Sequence, residues 1–117
     1  MAEESLQKTV LNALEDLKAR DVVVMDVRGL TSIADSMVIA SGTSDLHVRS
    51  LAESVVEKCK ESGQRPLGVE GLKDGEWVLV DLQDIVVHVM LPRVRDFYNL
   101  EKLWAAPVRP GRVSAEA

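Results

Sequence analysis

The sequence predicts a single α/β (α+β) domain in which helices pack on one mixed sheet of about five strands. Three observations lead to this prediction. The chain has 117 residues, enough for one hydrophobic core but not for two. Segments with apolar residues at helical spacing are interspersed with short apolar runs typical of strands. No apolar run approaches the roughly 18 residues of a membrane span.

The first part of the chain is predicted to form a helix and two strands. Apolar residues from Leu6 to Leu17 recur at three- and four-residue spacing, on one face of a helix over residues 3–19. A β-branched run at residues 22–25 lacks alternation, which is typical of a strand covered on both faces. The segments that follow are a loop over residues 28–35 and a strand over residues 36–40.

A small polar turn at residues 41–45 leads into the second helix, predicted over residues 46–61. Thr43 or Ser44 is suited to be its N-cap, and Gly63 ends it. The turn is also the strongest sign of an enzyme, because such a turn at a helix N-terminus can hold phosphate. Plain capping is the stronger interpretation, since the turn lacks the lysine of a P-loop and its aspartate repels anions.

Two side chains of this helix are of types that can carry special chemistry, His47 and Cys59. His47 has no Asp, Cys or second His at ligand spacing, which favours a surface or capping role over metal binding. Cys59 falls on the apolar face, which favours a buried, inert thiol over a nucleophile. As the only cysteine, it gives no intrachain disulfide. We therefore expect no metal, no cofactor and no catalytic residue.

Residues 75–90 are the stretch around which the chain is organised, and they predict a hairpin that turns at Gln83 and Asp84. An extended edge segment over residues 64–71 precedes it. With an even loop, one face of the hairpin is wholly aliphatic and belongs to the core; it carries Val78, Val80, Leu82, Ile85, Val87 and Val89. The opposite face, which we call the mixed face, carries Trp77, Leu79, Asp81, Val86, His88 and Met90 and suits a partner better than a core.

The C-terminal part is predicted to contain one short helix. Pro92 breaks the last strand, and a helix over residues 100–105 follows, with Asn99 as its cap and Phe97 as its anchor. The folded domain is expected to cover residues 1–106. Residues 107–117 lack periodicity and are expected to be a disordered tail.

The overall charge limits the function classes. A net charge of −5 argues against nucleic-acid binding through the whole-molecule field, because phosphate neutralisation needs clustered Lys and Arg. The acidic N-terminus lacks the features of secretory and organellar leaders. We expect a cytoplasmic protein without a membrane span.

Four segments together carry a resemblance to a known family. They are residues 35–45, Gly71 with residues 77–81, residues 86–90 and residues 97–104. In this order and spacing they resemble the ribosomal silencing factor family, RsfS or Iojap, over roughly residues 6–104. The resemblance implies a fold like that of nucleotidyltransferases without their catalytic carboxylates. It also implies a non-enzymatic protein that binds ribosomal protein fourteen of the large subunit, blocks joining of the small subunit and lowers translation when nutrients run short.

Together with the mixed face, the resemblance gives a predicted partner-binding set: Trp77, Leu79, Asp81, His88, Met90, Arg93, Tyr98 and Leu100. Arg93 and Arg95 are expected at its rim, where they can contact ribosomal RNA or acidic side chains. Asp81 and His88 lie diagonally across the strands, near enough to hydrogen-bond.

Two alternatives stay open at this point. One is a nucleotidyltransferase-like enzyme that uses the turn from Ser41 to Asp45 for phosphates and Asp81 for a metal. The other is a weak homodimer, instead of a monomer, that forms through the mixed face.

Overall fold

The structure is a computed structural model that describes residues 2–29 and 34–98, with the side chains of residues 2–4 and 98 left out. Its helices are α1 (Ala2–Asp16), α2 (Asp45–Glu61) and α3 (Pro92–Tyr98). Its strands are β1 (Arg20–Asp26), β2 (Ser36–Ser41), β3 (Gly68–Glu70), β4 (Trp77–Asp81) and β5 (Ile85–Met90). The predicted single domain with a five-stranded mixed sheet is confirmed.

The strands are arranged in the order β1-β2-β5-β4-β3. Strands β2 and β5 run parallel, while every other neighbouring pair is antiparallel. The parallel pair lies inside the sheet, and the chain crosses between its two strands through α2, β3 and β4. β5 is therefore paired on both edges and is the centre of the sheet.

The β4–β5 hairpin has the predicted register. Trp77 pairs with Met90 and Leu79 with His88, while Val80 pairs with Val87. The turn is closed by Leu82, whose amide donates to the Ile85 carbonyl over 2.9 Å. The aliphatic face is fully buried at Val78, Val80, Leu82, Ile85, Val87 and Val89. Period-two alternation thus assigned each side chain to the correct face.

Helices α1 and α2 pack on each other and cover the aliphatic face. The predicted stripe of α2 is buried, and its N-cap is Ser44, whose Oγ accepts from the His47 amide over 3.1 Å. Gly63 ends the helix with φ +89°, a conformation that costs glycine little. The predictions for both ends of α2 are confirmed.

The prediction that the first strand is covered on both faces is wrong. β1 lies at the edge of the sheet, and Val22 and Val24 are exposed. The register shifts between Arg20 and Val23, where Asp21 has φ +51°. Such a bulge twists a strand edge and interrupts regular pairing. A β-branched run therefore predicted the strand but not its position in the sheet.

The region after β5 differs from the prediction. Pro92 ends β5 as expected, yet it also begins helix α3, because proline suits the first helical position. Phe97 is 80% exposed, and its role as an anchor for the next helix stays a prediction. The predicted helix at residues 100–105 and the predicted tail at 107–117 lie outside the described residues.

None of the helices in the described ranges combines the length and apolar composition that crossing a bilayer requires. The likeness to nucleotidyltransferases stays a prediction.

Candidate partner-binding groove

The mixed face divides into two halves that differ in burial. On the β5 half, Met90 is fully buried, and Val86 and His88 are nearly so. On the β4 half, Trp77 and Leu79 are only half-buried. The expectation that this whole face suits a partner better than a core is therefore wrong for β5. Only the β4 half can meet a partner without rearrangement.

A groove of about 470 Å³ opens beside this accessible half, and we call it the Trp77 groove. It lies between the start of β4 and helix α3. Its lining combines two aromatic rings with charged and small residues: Gly71, Asp74, Glu76, Trp77, Arg93, Val94 and Phe97. Exposed aromatic rings concentrate binding energy at protein interfaces, so this groove is the candidate partner-binding site.

Helix α3 forms the second wall of the groove and is held in place by two buried side chains. Val94 belongs to the hydrophobic core. Arg95 is only 6% exposed, and its Nη1 donates to the Ser41 Oγ at the end of β2 over 2.8 Å. The prediction of Arg95 as a rim contact is therefore wrong, because its guanidinium stabilises the fold from inside.

Gly71 lines the groove between β3 and β4, and it permits the close approach of the chain to the Trp77 backbone. Its φ is +92°, a left-handed conformation that glycine adopts readily. A Cβ at this position would collide with the Trp77 carbonyl oxygen. Only glycine therefore allows the turn and the Trp77 backbone to lie together.

The Trp77 ring is fixed from below by His88. The Trp77 Nε1 donates to the His88 Nδ1 over 3.0 Å, and the ring centroids lie 5.9 Å apart at 47°. Asp81 instead accepts from the Gln83 amide through Oδ1. Within the described part of the chain, the predicted Asp81–His88 hydrogen bond is not formed. The hydrogen-bond partner of His88 is thus the Trp77 indole and not the Asp81 carboxylate.

Burial also sets the charge of His88. Desolvation lowers the pKa of the His88 imidazole from 6.5 to about 4, because the protonated ring loses its hydration. In the tautomer protonated at Nε2, the neutral ring has an unprotonated Nδ1, which the indole N–H requires as its acceptor. At neutral pH, burial and the hydrogen bond thus favour the same uncharged state.

The rim of the groove carries charges of both signs. An Arg93 Nη2 lies 3.5 Å from a Glu76 carboxylate oxygen, and both side chains are largely exposed. Asp74 adds a second carboxylate to the lining. The rim therefore offers a partner two carboxylates and one guanidinium.

The structure brings together only part of the predicted set. Trp77 and Arg93 line the groove, Leu79 and Asp81 continue along β4, and His88 lies beneath the indole. The Tyr98 side chain and all of Leu100 lie outside the description. Val94 and the exposed Phe97 also line the groove, although neither belongs to the predicted set. A proline at a helix N1 position was the signal that could have predicted α3 and its exposed face.

In the turn between β2 and α2, two of the backbone amides are already occupied by side chains of the turn and helix. The Thr43 amide donates to His47 Nδ1 over 2.9 Å, and the His47 amide donates to Ser44. His47 Nε2 also lies 2.8 Å from the Leu17 carbonyl oxygen. These amides already have acceptors, so the turn acts as a cap and as a link between α1 and α2.

The remaining nucleophile and the candidate metal ligands form no site of their own. Cys59 is buried, and desolvation raises the pKa of its thiol to about 11, which keeps it protonated at neutral pH. Across residues 2–29 and 34–98, no cluster of three His, Cys, Asp or Glu side chains is arranged to hold a metal ion.

Comparison with known proteins agrees with the sequence resemblance. The family described as "Ribosomal silencing factor during starvation" matches residues 1–116. The protein "Ribosomal silencing factor RsfS" of Chromobacterium violaceum is 48% identical over 101 residues, which cover 86% of this chain and 83% of that one. The mouse protein "Mitochondrial assembly of ribosomal large subunit protein 1" is 35% identical over 98 residues, or 81% of this chain and 43% of that one.

A crystal structure of a Chromobacterium violaceum protein gives the same result for the fold. It is 46% identical to this chain, covers 91% of it, and superposes with a TM-score of 0.86 over 88% of its own length. The family match spans nearly the whole chain, and the sequence identity lies far above chance similarity. The chain therefore belongs to the family of ribosomal silencing factors.

Proposed function

We propose that this protein binds ribosomal protein fourteen of the large ribosomal subunit through the Trp77 groove and the adjoining part of β4. Bound there, it prevents the small subunit from joining and lowers translation when nutrients are scarce. The observation that carries the proposal is a groove with two accessible aromatic rings in a chain of this family. The names of two relatives, which refer to ribosomal silencing and to large-subunit assembly, support a ribosomal partner.

The mechanism needs no chemical step. A bound domain excludes the small subunit by volume alone, provided that its contacts outweigh the loss of translational and rotational freedom. We therefore propose a non-enzymatic regulator that works in the cytoplasm, where its partner is found.

The contact residues have different roles in this proposal. Trp77 and Phe97 supply the apolar surface, while Leu79 and Asp81 extend it along β4. Arg93 contacts the partner or ribosomal RNA at the rim. His88 and Met90 support this surface from within the sheet. Tyr98 and Leu100 stay predicted contacts.

The direct test is co-sedimentation with isolated large subunits, with small subunits as the control. We expect the protein to pellet with large subunits alone, and purified ribosomal protein fourteen to compete for it. Equal pelleting with both subunits, or with neither, contradicts the proposal. Absence of competition would leave the large subunit as partner and overturn the assignment to ribosomal protein fourteen.

A homodimer through the same face predicts a different result. Light scattering would then give twice the monomer mass, and the dimer would dissociate as ribosomal protein fourteen is added. A mass that stays dimeric at saturating partner places the dimer contact elsewhere on the molecule.

A further inference from the structure

We infer that His88 is a positioning residue for the binding surface: it holds the Trp77 indole in the orientation that the partner meets. This inference rests on the proposed function, because it concerns the same groove. His88 is 6% exposed, so it is nearly enclosed by the protein itself. Its contribution to binding therefore passes through the side chain that it contacts.

The hydrogen bond between the two rings has a fixed direction. An indole N–H can only donate, so the His88 Nδ1 must present a lone pair and the ring proton must lie on Nε2. The bond joins residues diagonal to each other on neighbouring strands, since Trp77 pairs with Met90 and His88 with Leu79. It therefore sets the orientation of the indole relative to strands β4 and β5.

The imidazole is attached at the centre of the sheet. His88 lies on the central strand, between Leu79 on one side and Ile39 on the other. An aliphatic side chain at this position would be buried without the desolvation cost of an imidazole. What the imidazole offers in its place is an acceptor aimed at the indole. Packing alone therefore does not explain the imidazole of His88, whereas positioning of the indole does.

Orientation matters because an unrestrained tryptophan loses rotamer freedom when it binds. A ring already held in its bound orientation has less freedom to lose, so association is stronger for the same contacts. Trp77 is half-buried and lines the groove, so it combines a fixed N–H edge with an accessible surface.

The test compares three substitutions at this position. His88→Asn places its amide oxygen at the position of Nδ1, His88→Gln moves the oxygen one bond further out, and His88→Leu removes the acceptor. We expect His88→Asn to bind large subunits within about twofold of the parent, and the other two to bind about fivefold to tenfold more weakly. Melting curves identify any variant that does not fold, and His88→Gln carries the test if His88→Leu is lost.

A spectroscopic readout reports the orientation itself. The indole N–H resonance of Trp77, assigned in a Trp104→Phe background, should shift and exchange faster in His88→Gln and His88→Leu but not in His88→Asn. A general loss of packing would shift the Trp77 indole N–H resonance in all three variants alike. Equal binding by folded His88→Gln or His88→Leu and the parent overturns the inference.

The failure of the inference is distinguishable from the failure of the proposed function. If Trp77→Ala loses binding while every folded His88 variant binds like the parent, only the positioning role is wrong. If the parent itself does not pellet with large subunits, or Trp77→Ala pellets as well as the parent, the proposed function and its dependent inference are both overturned.

Discussion

The two faces of the β4–β5 hairpin take alternate residues from one short stretch and use them for opposite purposes. On the aliphatic face every side chain is fully buried beneath α1 and α2, and none is polar. On the mixed face an indole, an imidazole and a carboxylate share the surface, and the β4 half stays accessible. Because neighbouring residues point to opposite faces, each face can be altered without touching the other. The aliphatic face should therefore control stability, while the accessible β4 half of the mixed face controls binding and its buried β5 half contributes to stability.

The sharpest test of the aliphatic face is Ile85→Ala. Ile85 is fully buried, and removing its branched side chain should leave a cavity and lower the free energy of unfolding by about 3 kcal/mol. Urea denaturation measures the loss, with Ile85→Val as the milder control at about 1 kcal/mol. Binding to large subunits should persist wherever the variant stays folded. A folded Ile85→Ala that does not bind would contradict the separation of the two faces.

Acid should destabilise the protein through the mixed face. The His88 pKa is about 4 when folded and near 6.5 when unfolded, so between these values the unfolded chain binds the proton first. The stabilisation is complete above pH 6.5 and is lost as the pH falls toward 4, by about 3 kcal/mol in total.

Other groups titrate in the same interval, so the comparison must be made against His88→Asn. Asp81 on β4 and Arg95 on α3 are charged residues of the same face and are unchanged in both proteins. From neutral pH to pH 4, the unfolding free energy of the parent should fall by about 3 kcal/mol relative to that of His88→Asn. A constant difference would show that His88 is not held neutral by burial.

Trp77→Ala should separate binding from stability on the mixed face. Removing the indole should weaken binding to large subunits by about 2 kcal/mol or more, if the ring is an interface hot spot. The matched control is Val24→Ala, an exposed residue on the far edge strand, which should bind normally. Unfolding of Trp77→Ala in melting curves would assign the indole to the core instead.

The smallest effect is expected for Ser44→Ala, which touches neither face. Loss of the hydroxyl that caps α2 should lower the free energy of unfolding by about 1 kcal/mol, because the His47 amide loses its acceptor. Thermal unfolding measures the change, and Ser44→Asp should restore most of it. A larger loss from Ser44→Ala than from Ile85→Ala would break the ranking that burial implies.

Local patterns were sufficient wherever the physical cause is itself local. Period-two alternation gave the register from Trp77 to Met90, and helical spacing gave the buried stripe of α2. The end of α2 at Gly63 follows from backbone sterics within a few residues. The motifs of residues 35–45 and 77–104 also identified the family, because their order along the chain can be read without knowledge of the fold.

Burial, in contrast, depends on which element lies above a residue, and sequence spacing carries no information about that. The edge position of β1, the buried guanidinium of Arg95 and the exposure of Phe97 all follow from how distant segments pack. The hydrogen-bond partner of His88 also depends on how the side chains pack. Two residues diagonal to it, Trp77 and Asp81, are both within reach on β4, and only the packed side chains decide that the indole takes the bond. The sequence by itself determined the faces, while tertiary contacts decided which part of a face stays open, because solvent exposure is a property of neighbours in space.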